Sequence, residues 1–210
     1  VPVSIILDHG AKYEHAIGAI RARFTDVMID CSSLPYAENV AQVKEVVKVA
    51  HAVGVGVEAE LGHVGSGQTV SEISGEGNGD SVFTVPEEAV NFVKETEVDA
   101  LAVSIGTAHG AYKGTPKLQF DLLQKLREMV SVPLVLHGGS GSGDENLAKA
   151  CKMGISKLNI AYDLYRGGID TLLAHDVSGN GAYGLYNYLS QGIQKAAEHA
   201  IDICDSAGKV

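Results

Sequence analysis

Three histidines carry the strongest chemical signal in the chain. His9, His109 and His137 each follow a short apolar run and each directly precedes a glycine. Neutral imidazoles suit a borderline divalent ion such as Zn²⁺, and a catalytic zinc site uses three protein ligands with one position open. Any one of them alone reads better as an ordinary strand-end histidine; three in equivalent positions reverse that preference. His137 also opens a glycine loop, the segment HGGSGSG at residues 137–143. Its glycines Gly138, Gly139, Gly141 and Gly143 and the hydroxyls of Ser140 and Ser142 suit an anion resting against a helix N-terminus. Lys113 is within reach of such an anion as a point charge, although a loop lysine is by default solvated. Acids stand at other strand ends, Asp8 and Glu60, and Asn159 ends another. His15, His51, His175 and His199 fall in helical stretches, and His63 in a long loop, so these read as structural or solvated.

These residues need elements that bring them together. Residues 1–7, 27–29, 55–59, 100–105, 134–136 and 157–160 read as strands, each short, apolar and rich in β-branched residues. Helical spacing is expected over 12–23, from Glu38 to a stop at Gly54, over 86–96, 120–130, 144–153, 161–175 and 184–207. Pro86 suits a first helical position, with Glu87 and Glu88 in a first turn that favours acids. Residues 62–82 lack periodicity and are expected to form the one long loop, of the kind used as an active-site flap or left disordered. Six strands alternating with helices point to parallel α/β structure. An open doubly wound sheet and a TIM barrel both fit, but polar residues after nearly every strand favour the barrel, since an open sheet gathers them at one switch point. A barrel has eight strands, so about two β/α units are expected to be missing from the N-terminal side.

The chain has 210 residues, 45% of them hydrophobic, and a formal net charge of -10. An acidic surface without a basic stripe excludes a phosphate-backbone partner, so nucleic acid binding is not expected and a small ligand is. No run reaches membrane-spanning length, and the N-terminal residues lack the basic region and cleavage site of a signal peptide. The three scattered cysteines, Cys31, Cys151 and Cys204, show no metal or disulfide spacing, and a cytoplasmic protein with reduced thiols is expected.

Read together, ILDHG at 6–10, the segment 27–47, VEAELGHVG at 57–65, DALAVSIGTAHGAYKG at 99–114, PLVLHGGSG at 133–141 and KLNIAYDL at 157–164 resemble the class II, metal-dependent fructose-bisphosphate aldolases, in particular the shorter tagatose-bisphosphate aldolase-like branch. The resemblance spans most of the chain and implies a single barrel domain over 1–210, made of the C-terminal six β/α units and C-terminal helices. It implies reversible cleavage of fructose or tagatose 1,6-bisphosphate to dihydroxyacetone phosphate and glyceraldehyde 3-phosphate. By the same resemblance Zn²⁺ is held by His9, His109 and His137, with Glu60 as an alternative or supporting ligand, and Asp8 exchanges a proton with the C4 hydroxyl. Gly110, Lys113, Gly138, Ser140 and Asn159 match positions that hold the substrate phosphate or a monovalent cation, Na⁺ or K⁺. A homo-oligomer, dimer or tetramer, is implied as well. The chain departs from the family where Gly67 and Gln68 stand near the expected loop acids, leaving Glu72 or Glu76 to substitute, and where Tyr162 replaces a small hydroxyl residue. Two other readings stay open: a metal-dependent sugar-phosphate epimerase or isomerase on the same barrel, and a truncated non-catalytic relative that keeps the metal site.

Overall fold

The computed structural model describes residues 1–65, 82–110, 112 and 114–209. Lys113, Gly67, Gln68, Glu72 and Glu76, and nearly all of the expected long loop, lie outside them.

Six strands form one parallel sheet: β1 (Ile6–Gly10), β2 (Asp26–Ile29), β3 (Gly56–Leu61), β4 (Ala100–Val103), β5 (Leu134–Leu136) and β6 (Ile155–Leu158). Their spatial order is their sequence order. A doubly wound sheet reverses direction part-way and puts helices on both faces; this sheet does neither. The intervening helices are α1 (Tyr13–Arg21), α2 (Tyr36–His51), α3 (Pro86–Thr96), α4 (Phe120–Met129) and α5 (Asp144–Lys152). Helices α6 (Tyr162–Leu173) and α7 (Leu185–Ile203) follow, joined by a 3₁₀ turn at Gly179–Gly184.

Strand alternation sends successive side chains to opposite faces. Val27, Ile29, Val57, Ala59, Leu101, Val103, Leu134 and Leu136 pack against helix residues such as Val43, Val46, Phe92 and Leu123 in the main core. The opposite face holds a separate small cluster of Met28, Ala102 and Val135 with Ala100, to which no helix among the described residues contributes. The fold is therefore a singly wound parallel half-barrel, with helices outside and a narrow apolar floor inside.

Several strand boundaries differ from expectation. Residues 1–5 are apolar in part, but Val1, Val3 and Ile5 are exposed and the ladder with β2 starts only at Ile6 opposite Asp26. β4 stops at Val103 because the Ser104 N–H donates to the Thr84 hydroxyl at 2.8 Å and leaves the sheet. β6 begins two residues early because Ile155 pairs with Leu134.

Candidate active site

Each candidate residue sits at or beyond the C-terminal end of its strand, so the sheet gathers residues far apart in sequence around one mouth. The end of β1 is irregular. Leu7 pairs with Val27 and Gly10 with Ile29, so Asp8 and His9 together face the single residue Met28. Such a bulge re-aims side chains, and His9 takes a left-handed backbone with φ of 48°, a conformation that costs a non-glycine residue about 1–2 kcal/mol. Gly138 is also required as glycine: its φ is +66°, and a Cβ there would lie 2.5 Å from the Ala108 carbonyl oxygen.

The three histidine rings converge. Ring centroids are 4.5 Å apart for His9 and His137, 4.7 Å for His9 and His109, and 5.9 Å for His109 and His137. One nitrogen from each lies within 4.8 Å of the others, and His9, Asp30 and Glu60 form a second such group that shares His9.

Hydrogen bonds assign the tautomers. His9 Nδ1–H donates to Asp30 Oδ2 at 2.7 Å, and His137 Nε2–H donates to Glu58 Oε1 at 2.8 Å. Those carboxylates accept only, so the other ring nitrogens, His9 Nε2 and His137 Nδ1, face each other at 2.8 Å with their lone pairs. Two facing lone pairs repel unless a proton or a metal ion stands between them. Two further atoms are buried without a protein partner among the described residues, His109 Nε2 and Glu60 Oε2. Converging imidazoles and carboxylates, with His109 Nε2 and Glu60 Oε2 unmet and His137 Nδ1 reached besides His9 only by a long contact from Asn159 Nδ2 at 3.4 Å, fit a divalent cation.

The electrostatics agree. Burial, then the neighbouring His9 and His137, push His109 down to about 4, so it stays neutral. Burial would lower His9, but the hydrogen bond to Asp30 and nearby carboxylates outweigh it and raise it. Burial raises Glu60, and the Asp30 charge adds to that. Asp30 would rise through burial, yet His9 and the Ser32 hydroxyl and amide hold it well below the usual carboxylate range. A cation is what would let Asp30 and Glu60 ionise side by side.

Asp8 stands at the mouth, its side chain 51% exposed, 3.8 Å from His9 Nε2 and 3.9 Å from His137 Nδ1. Asn159 Nδ2 donates toward both Asp8 oxygens at 3.2 Å. A cleft of about 440 Å³ is lined by Asp8, His9, His109, Gly110, Gly138, Ser140, Asn159 and Tyr162. A larger cavity of about 530 Å³ lies between α5, β6, α6 and α7, away from the histidines, so size does not locate the chemistry. Beside the cleft, the Ser140 hydroxyl accepts the Ala161 and Asp163 N–H groups at the start of α6, at 3.1 and 3.3 Å.

A family model, Fructose-bisphosphate aldolase class-II, matches residues 1–209. The chain belongs to the class II fructose-bisphosphate aldolase family. A fructose-bisphosphate aldolase from Geobacillus stearothermophilus is 47% identical over 160 residues, which are 76% of this chain and 54% of that relative. The YdjI aldolase of Escherichia coli K12 is similar in structure with a TM-score of 0.85 at 32% identity, covering 100% of this chain and 72% of that one. The Campylobacter jejuni fructose-bisphosphate aldolase (Fba) is similar in fold, with a TM-score of 0.79 at 23% identity over 100% of this chain and 72% of its own. The chain thus spans about half the length of the curated relative it matches.

For a class II aldolase, the sequence signals located the histidines, Asp8, Glu60 and Asn159 but passed over Asp30, Glu58 and Lys157. Glu58 and Lys157 each lie two residues before a residue already singled out, Glu60 and Asn159. That spacing places each pair on one face of its strand. His63, read as structural or solvated, sits closer to the site than expected: its Nδ1–H donates to the Ser32 hydroxyl at 2.9 Å and lies 3.9 Å from Glu60 Oε1.

Proposed function

We propose that the protein is a metal-dependent aldolase that reversibly cleaves a ketose 1,6-bisphosphate, of the fructose or tagatose type, to dihydroxyacetone phosphate and glyceraldehyde 3-phosphate. The observation that carries this is the convergence of His9, His109 and His137 from three strand ends, with His9 Nε2 facing His137 Nδ1 and His109 Nε2 unmet. Family membership over residues 1–209 supports it.

His9, His109 and His137 would hold Zn²⁺, with Asp30 and Glu60 as a neighbouring set that shares His9. When bound there, the metal supplies Lewis acidity toward the substrate ketone. Asp8 reaches into the cleft beside this cluster and moves the proton of the C4 hydroxyl, which must leave for the carbon–carbon bond to break. Asn159, donating to Asp8, keeps that carboxylate oriented. Gly110, Gly138 and Ser140 line the cleft, where backbone amides and the start of α6 favour a phosphate; to the same phosphate we assign Lys113 and a monovalent cation. The exchange of the carbon-bound proton of dihydroxyacetone phosphate needs another acid, which we assign to Glu72 or Glu76. A cytoplasmic protein acting on a small sugar bisphosphate as a homo-oligomer completes the proposal. Among the described residues no helix is long and apolar enough to cross a membrane.

The test is a coupled assay of the intact protein with fructose and tagatose 1,6-bisphosphate, each with and without chelator. Cleavage of one of them that chelator removes and Zn²⁺ restores is expected. Chelator-resistant cleavage that borohydride traps would assign a lysine Schiff base and overturn the proposal.

A further inference from the structure

Below the histidines a chain of polar contacts crosses the interior face of the sheet. Glu58, on β3, is 3% exposed at its side chain, and His137 is 0% exposed. Glu58 Oε1 accepts His137 Nε2–H at 2.8 Å and its Oε2 accepts Lys157 Nζ at 2.9 Å. Lys157 donates again to Asn159 Oδ1 at 2.8 Å, and Asn159 Nδ2 turns to Asp8. Glu58 is buried while the Lys157 side chain is 35% exposed, and burying the carboxylate costs desolvation, so the pair is a poor source of stability. Its value lies in direction. A carboxylate only accepts and an ammonium only donates, so each contact in the chain has one possible sense.

We infer that Glu58 and Lys157 are a positioning pair: Glu58 holds the His137 proton on Nε2 so that Nδ1 faces the metal cluster, and Lys157 fixes the Asn159 amide with its NH₂ toward Asp8. The inference rests on the metal-dependent reading of the site. Ligand orientation by such outer partners is worth 10–100-fold in metal affinity.

The geometry makes an unusual demand on Glu58→Gln. Lys157 can only donate, so the carbonyl of the new amide must turn to it, and the NH₂ then meets His137 Nε2. His137 must accept there, which moves its proton to Nδ1, inside the metal cluster. In the metal-free intact protein, ¹⁵N spectra of labelled histidine are expected to show the proton on Nε2 in the wild type and on Nδ1 in Glu58→Gln. Zn²⁺ affinity by chelator competition is expected to fall at least tenfold in that variant. Adding Lys157→Met frees the amide to rotate and is expected to recover affinity relative to Glu58→Gln alone. Lys157→Met by itself leaves Glu58 on His137, so Zn²⁺ affinity is expected to stay within about threefold while kcat falls about tenfold or more, because the Asn159 amide loses the contact at its oxygen that holds its NH₂ in place on Asp8. A merely structural ion pair would give neither the tautomer change nor the rescue. Zn²⁺ affinity within about threefold of wild type in Glu58→Gln, with the His137 proton still on Nε2, would overturn the inference. The tautomer change in Glu58→Gln together with a wild type that binds no Zn²⁺ would sustain the positioning of His137 and overturn the metal reading instead.

Discussion

Replacing His109 by leucine should stabilise the metal-free protein and abolish its stabilisation by zinc. His109 Nε2 is buried with no hydrogen-bond partner among the described residues, and burial with the adjacent His9 and His137 pushes its pKa to about 4. An unsatisfied buried polar group costs about 1–3 kcal/mol, and an apolar side chain of similar size removes that cost. Taking about 2 kcal/mol, and about 2–4 °C of melting temperature per kcal/mol for a chain of this size, His109→Leu should melt about 4–8 °C above the wild type in chelator. The wild type gains about 4 kcal/mol when free zinc is 1,000-fold above its dissociation constant, and the variant, with one ligand lost, gains far less. The two melting curves should therefore exchange order when zinc is added, a comparison that scanning calorimetry makes directly. If His109→Leu melts below the wild type in chelator, the orphaned nitrogen is not the cost assigned to it, and the argument that this site awaits a cation loses its physical basis.

Asp30→Asn should lower the pKa of His9, read by NMR in metal-free protein. Because Asp30 raises His9 above 6.5, the stability this adds is complete below the unfolded value and is lost as pH rises through the folded one. The histidine part of the Asp30→Asn penalty should accordingly be larger at pH 6 than at pH 9. Ser140→Ala leaves the Ala161 and Asp163 N–H groups without their acceptor and should cost about 1 kcal/mol by denaturant unfolding, as the loss of a helix cap does. Gly138→Ala forces a side chain into a left-handed backbone against the Ala108 carbonyl and should cost about 2 kcal/mol or more in the same assay.

Much of the site was legible because a parallel β/α chain writes its mouth as a series of strand ends, and His9, His109, His137, Glu60 and Asn159 stand at them. Glu58 and Lys157 were not, because a charge inside a short apolar strand reads as part of the strand until its partners across the sheet are known. Asp30 was visible as a strand end but, among Cys31, Ser32 and Ser33, lacked the glycine that marked the histidines. The His9 bulge was hidden as well: nothing local distinguishes LDHG as an irregular strand, and the count of two residues against one emerges only from pairing with β2. The first strand was placed too early because alternating valines and isoleucine at residues 1–5 look buried in sequence, while Val1, Val3 and Ile5 are exposed in the fold.

The central claim is that His9, His109 and His137 hold one divalent ion. Anomalous scattering at the zinc edge, from crystals of the intact protein grown with Zn²⁺, tests it most directly. A single strong peak bonded to nitrogens of those three residues is the predicted result. A fully occupied zinc bound elsewhere, with the three imidazoles still facing one another and no peak between them, would contradict it.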